Sequence, residues 1–177
     1  MKNLILLLFF ILPVGIFAQG CFPYGWFGTY EGELEIFGVD SVAHRVLMNL
    51  DIGPTDNDST FFWTITYGEG DQKDVRKYQM ISMDNSVGYY VLDEKNSIKI
   101  ETYLKNKVMT SFFSVNGNFI IATYEKVDEG IAFELIAAQM QPASETGGEK
   151  YEGEDIPKVT AYPVTGRQRA LLKKIAD

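Results

Sequence analysis

Histidine and cysteine are almost missing from this chain, which contains one of each, His44 and Cys21. A single cysteine excludes an intrachain disulfide. With one histidine there is no Cys/His set with zinc-ligand spacing, and with Cys21 at the terminus neither a Ser-His-Asp nor a Cys-His nucleophile system is expected. His44 beside Arg45 at a strand start reads as a solvated polar residue. Basic residues are also scarce, 16 Lys and Arg against 24 Asp and Glu, for a net charge of −8. A chain this acidic is repelled by phosphate backbones and offers no basic cluster to offset that, so nucleic acid is not an expected partner. Electrostatic adhesion to an anionic membrane is disfavoured for the same reason. Long apolar runs are absent beyond the N-terminus, and Leu4 to Leu12 falls short of the ~20 residues a spanning helix requires. The chain therefore has no transmembrane span of helical type.

The N-terminus reads as an export signal over residues 1–18. Lys2 provides the positive start and Leu4 to Leu12 the apolar centre. Pro13 and Gly15 break the run, and Ala18 is a small residue at the cleavage point before Gln19. Removing this segment leaves 15 basic against 24 acidic side chains. Cys21 opens a second route, in which it becomes the lipid-bearing first residue of a lipoprotein anchored to the outer membrane. Gly20 fits that pattern, whereas Ala18 and Gln19 fit cleavage after Ala18 better. Either route implies an exported protein, periplasmic or secreted.

From Gly28 onward the pattern is that of strands. Tyr30, Gly32, Leu34 and Ile36 alternate with Glu31, Glu33 and Glu35, and Val46, Met48, Leu50 and Ile52 alternate with Arg45, Asn49 and Asp51. Phe61, Trp63, Ile65 and Tyr67 alternate with Phe62, Thr64 and Thr66. This period of two belongs to strands with one buried face. Later runs around Val75 to Met83, Tyr89 to Leu92, Ile98 to Glu101, Val108 to Val115, Phe119 to Glu125 and Ile131 to Leu135 continue it. Short turn signals separate them, among them Gly53-Pro54-Thr55-Asp56, Asp84-Asn85-Ser86 and Asn116-Gly117. Asn-Gly accepts positive φ at both turn positions, which predicts a tight hairpin joining Val115 to Asn118. Gln141 to Pro157, polar and rich in Glu and Gly, reads as a long mobile loop. Val159 to Val164 resembles another strand, and Arg167 to Ile175 fits either a last strand or a short helix. With no crossover helices a parallel sheet is excluded. Consecutive antiparallel strands avoid exposed edges best by closing, so the expected fold is all-β, a single antiparallel up-and-down β-barrel of about 9–10 strands over residues 19–177.

Gly25-Trp26-Phe27-Gly28-Thr29-Tyr30-Glu31-Gly32 resembles the opening strand of lipocalin-like (calycin) barrels, in which a glycine and an aromatic residue plug one end. Gly28-Thr29-Tyr30-Glu31-Gly32 is similar to the Gly-Thr-Trp-x-Gly opening of nitrobindin-like haem barrels. Tyr30 replaces the tryptophan of that motif, and the histidine that ligates iron near that family's last strands has no counterpart here. The resemblance implies the fold and a ligand cavity, not the cofactor, and no cofactor is expected.

In such barrels an internal Arg and Tyr often hold a ligand's polar head. Arg76 and Tyr78 share a strand face with Met80, and if that face points inward Arg76 is a cation that must be paired. Trp63, Tyr90, Tyr103, Phe113 and Tyr124 complete the candidate ligand-binding set. Their alternative role is ordinary strand packing, since aromatics are common in strands. The acidic loop Asp51, Asp56, Asn57 and Asp58 departs from calcium-loop order and reads as a turn. No acid–base pair or nucleophile stands out, so enzymatic activity is not the favoured expectation. The leading functional expectation is an exported barrel that binds a small hydrophobic or amphipathic molecule. The alternative is a cell-envelope structural or interaction protein with a filled core.

Overall fold

The alternation of side chains predicts in-and-out strand faces, and in the computed structural model those faces close on themselves. The structure describes residues 22–176; the export signal over 1–18 and lipidation at Cys21 lie outside the described residues. A short 3₁₀ turn, Tyr24–Trp26, precedes strands β1 (Gly28–Phe37), β2 (Val42–Pro54), β3 (Thr60–Tyr67), β4 (Asp74–Asp84) and β5 (Tyr89–Asp93). There follow β6 (Lys99–Lys105), β7 (Val108–Val115), β8 (Asn118–Val127) and β9 (Gly130–Gln139). Four short strands, β10 (Ser144–Thr146), β11 (Lys150–Tyr151), β12 (Glu154–Asp155) and β13 (Val159–Ala161), lead to the long β14 (Val164–Ala176). Strands β1 to β9 pair in sequence order and β14 inserts between β9 and β1, giving a closed ten-stranded antiparallel barrel.

Several local expectations hold in detail. Asn116 and Gly117 both have positive φ, 49° and 76°, and Val115 pairs with Asn118 across the two-residue turn. The segment from Arg167 to Ile175 is a strand: it pairs with β1 on one side and β9 on the other and so completes the closure. Gly32 enables that closure sterically, because a Cβ there would stand 2.2 Å from the carbonyl oxygen of Leu171 on β14. The polar segment after β9 differs from the loop expected of it. It is an exposed arm in which β10 pairs with β13 and β11 with β12, so its backbone groups are partly satisfied by its own short ladders.

Register assigns the faces. Tyr30 stands opposite Leu50, which stands opposite Ile65, which stands opposite Arg76. On the far wall Met109 faces Tyr124 and Tyr124 faces Phe133. These positions point inward. The intervening ones, including Glu31, Glu33, Glu35, Arg45, Lys77, Glu101, Glu125 and Lys173, point out. Each would cost about 2–4 kcal/mol facing lipid at mid-bilayer if basic, and less if acidic. The outer wall is therefore not an apolar lipid-facing belt. Among the described residues no helix is long and apolar enough to cross a membrane.

Candidate functional site

The barrel has two unlike ends. At one end the chain entering β1 folds across the opening. Trp26 is buried there, and the ring of Phe22 packs edge-on against Trp26, Phe61 and Tyr90 at centroid distances of 5.5, 5.7 and 4.9 Å. The Tyr30 hydroxyl donates to the Trp26 carbonyl oxygen at 2.8 Å and accepts from Lys126 Nζ at 3.0 Å. The Lys126 ammonium also lies over the Tyr30 ring, 4.7 Å from its centroid. Burial pulls the Lys126 pKa down, and the nearby charge of Lys174 adds to that. This half of the interior is filled: Tyr30, Met48, Leu50, Ile131 and Leu172 are all inaccessible.

At the other end the inward-facing positions behave differently. Tyr67, Tyr78, Phe113, Ile120, Ala122, Leu135 and Ala137 point into the barrel by register yet remain only half-buried. Inward side chains that solvent still reaches mark this as the open end. Small residues on three neighbouring strands widen it: Ala122, Ala137 and Gly166, with Ala137 opposite Gly166.

Beneath this opening the middle of the barrel is aromatic. Trp63 is fully buried, its ring perpendicular to Tyr124 at 5.0 Å, and Tyr124 contacts Phe133 at 4.9 Å. Burial pushes the Tyr124 phenol well above its ordinary pKa, and the neighbouring Tyr67 and Tyr78 act in the same direction; Trp63 and Arg76 oppose it. The Tyr124 hydroxyl therefore stays protonated and lies within electrostatic reach of Tyr67, Tyr78 and Arg76. The Trp63 indole N–H is close enough to favour a Tyr124 phenolate, yet no protein atom meets Nε1 with hydrogen-bond geometry.

Arg76 stands higher, at the rim. Its side chain is half exposed, its Nε and an Nη both contact Asp74 Oδ2 at 2.9 Å, and its guanidinium lies 5.1 Å from the Tyr67 ring centroid. Burial works against the Arg76 charge, but Asp74, Tyr78 and Tyr67 more than offset it and raise its pKa. Burial likewise raises the pKa of Tyr67, and that of Tyr78, where Glu94 contributes next.

Of the residues singled out from sequence, Trp63, Tyr124, Tyr78 and Arg76 come together at the open end, and Phe113 lies on the same inner surface. Tyr90 also points inward but belongs to the plugged end, where its hydroxyl donates to Asn85 Oδ1 at 2.9 Å. Tyr103 corrects the expected set, because it lies on the outer wall, 41% exposed and stacked on Tyr89 at 5.2 Å. The inner positions of β6 are instead Ile100, Thr102 and Leu104, and a buried hydrogen bond of 2.7 Å joins Thr102 to Ser111 of β7. Tyr67 was missed, although its parity with Trp63 was visible in the strand pattern. His44 lies opposite Ile36 near the open rim and is exposed, as a solvated residue should be. The acidic loop is a turn organised by Thr55 and Asn57, whose side chains bond neighbouring backbone groups. Among the described residues no three His, Cys, Asp or Glu side chains assemble as a metal site. Compared with known proteins, the chain is matched by no family model and by no curated protein.

Proposed function

We propose that this protein is an exported binding barrel that takes a small, partly apolar molecule into the chamber at its open end. The observation that carries the reading is the contrast in burial along the barrel. Inward Tyr30, Met48, Leu50, Ile131 and Leu172 at the plugged end are inaccessible, while inward Tyr67, Tyr78, Phe113, Ile120, Ala122, Leu135 and Ala137 at the open end are only half-buried. An evolved core without a ligand would fill that space, since protein interiors pack to crystal-like density. The chamber's mix of rings, small side chains and a few convergent polar groups is the composition of small-molecule sites. Export rests on residues 1–18, with Cys21 as the point of attachment if the protein is lipid-anchored.

Filling the chamber tests this. Ala122→Trp places a large ring into the upper space without touching the plug. The wild type should bind naphthalene in equilibrium dialysis, and Ala122→Trp should lose most of that binding while remaining folded by circular dichroism. Equal uptake by both proteins would place the hydrocarbon elsewhere and remove the proposal. Mass spectrometry of the protein from an envelope fraction tests export, with an N-terminus at Gln19 or a lipidated Cys21 expected and an intact Met1 contrary to it.

A second reading, an envelope interaction protein with a filled barrel, is favoured by the packed plugged half and by the exposed arm. The arm presents Tyr151, Val159 and Tyr162 to solvent. On that reading the arm makes the functional contacts and the barrel interior is filled by its own side chains.

A further inference from the structure

The plugged end carries a groove of about 840 Å³, between the N-terminal segment from Phe22 to Trp26 and the turns that join β4 to β5 and β6 to β7. Small-molecule sites span roughly 300–1,000 Å³. The walls of the groove are tied to each other by the protein itself. The Leu104 N–H donates to the Gly88 carbonyl oxygen at 2.8 Å, and Lys105 Nζ donates to the Val87 carbonyl oxygen at 2.8 Å. Gly88 makes this approach possible: its φ is 68°, and a Cβ there would stand 2.3 Å from the Leu104 carbonyl oxygen. Phe22, Trp26, Tyr90 and Leu104 give the groove its apolar surface, and the rings of Trp26 and Tyr90 brace that of Phe22 edge-on.

The polar lining is one-sided. Its charged side chains are Lys105 and Lys107, and no Asp or Glu lines it, although the chain as a whole carries a net charge of −8. Among the described residues neither lysine forms an ion pair. Lys105 uses one of its three N–H bonds on Val87 and keeps two. Asn85 adds a further donor: its Oδ1 already accepts from Ser82 at 2.7 Å and from Tyr90 at 2.9 Å, which leaves its amide N–H groups to donate. Asp84, next to the lining, is occupied by the Ser86 N–H and hydroxyl at 2.9 and 2.6 Å. Rings on one side, with only cations and donors on the other, are complementary to a molecule that is apolar at one end and anionic at the other. We propose that this groove is a second binding site, separate from the open end, and that its ligand is a single amphipathic anion. The apolar body lies against Phe22, Trp26 and Tyr90, and a carboxylate, sulfonate or phosphate head lies at Lys105 and Lys107. An anionic bilayer offers similar head groups on a flat face. The turns that share this end of the barrel carry Asp56, Asp58, Asp128 and Glu129, which would repel such a face, whereas one molecule seated in the groove lies against the lysines.

Two probes with one ring skeleton and opposite charge, 2-naphthoate and 2-naphthylmethylammonium, test this by NMR titration of backbone amide signals at neutral pH. 2-Naphthoate should move the amides of Val87, Gly88, Asn106 and Lys107, and should bind there about tenfold more tightly than the ammonium. Lys107→Glu, at an exposed turn position, should keep the fold and weaken 2-naphthoate by about tenfold, while Lys107→Arg should bind like the wild type. Ala122→Trp, which fills the open end, should leave the same shifts in place, so this site is tested independently of the open-end reading. Equal binding of the two probes, or a Lys107→Glu protein that takes up 2-naphthoate as well as the wild type, would overturn the anionic assignment. If 2-naphthoate leaves these amides unmoved at millimolar concentration, or if Ala122→Trp abolishes the shifts, the groove is not a site of its own. Phosphatidylglycerol vesicles that move these amides where 2-naphthoate does not would make this end a membrane contact and also refute the proposal.

Discussion

The plugged and open halves of the barrel are built from the same strands and differ in what fills them. At the plugged end Tyr30, Met48, Leu50, Ile131 and Leu172 are inaccessible, and the Tyr30 hydroxyl bridges Lys126 Nζ and the Trp26 carbonyl oxygen. At the open end three adjacent strands place the small residues Ala122, Ala137 and Gly166 among the inward positions. The polar groups there are an indole N–H facing the Tyr124 phenol, further half-buried phenols, and an arginine tied to its own carboxylate. On the proposed reading, stability and binding are divided along one axis, the plugged half holding the fold and the open half taking the ligand.

The largest effect expected of this division is on stability. Phe133→Ala empties a fully packed position and should cost about 3–5 kcal/mol in urea unfolding, within the range for large buried aromatics. The same truncation at Phe113, half-buried on the open side, should cost well under half as much. Comparable losses at the two sites would mean that the open end of the barrel is packed as tightly as its middle.

Alkaline pH should distinguish the two halves next. Tyr67, Tyr78 and Tyr124 all have pKa values raised in the folded state, by burial first, so the folded form holds their protons more tightly than the unfolded chain does. Their contribution is fully present below the unfolded tyrosine value near ~10 and is lost as pH rises through the folded values. Lys126, with a lowered pKa, has the opposite sign, and its contribution rises between its folded value and the unfolded lysine value. In a Lys126→Met background, unfolding free energy should therefore fall above about pH 10, and Tyr124→Phe should flatten that fall. An unchanged slope in Tyr124→Phe would show that Tyr124 ionises as freely as in the unfolded chain.

Smallest of all should be the outer wall. Arg45 bridges Glu33 at 2.9 Å and Glu35 at 3.1 Å, but its side chain is half exposed. Arg45→Ala should change stability by no more than about 1 kcal/mol in the same urea experiment, as exposed ion pairs do. A larger loss would mean that barrel closure relies on this ladder as well as on its interior.

Much of the fold was legible because strand parity is local. The alternation at Tyr30 to Ile36, at Val46 to Ile52 and at Phe61 to Tyr67 states which side chains share a face, and Asn116-Gly117 states where the chain must reverse. The side chains of Trp63, Arg76 and Tyr78 face inward for that reason alone. Tyr103 was placed wrongly because its strand inverts the usual cue: hydroxyl-bearing Thr102 takes the inside, made tolerable by Ser111 across the strand pair, and the larger ring is left outside. No local pattern announces that exchange, since Ser111 belongs to a different strand.

Composition, charge and the period of two thus determined an all-β meander and a defined set of inner faces. Only the tertiary structure decided how high along the barrel each inner residue sits. Height depends on the stagger accumulated from strand to strand and on β14 closing against Gly32, neither of which is encoded within any one strand. That stagger carries Tyr90 to the plug and Tyr124 to the middle of the barrel. It brings Asp74 level with Tyr67, so that Arg76 finds its carboxylate at the rim.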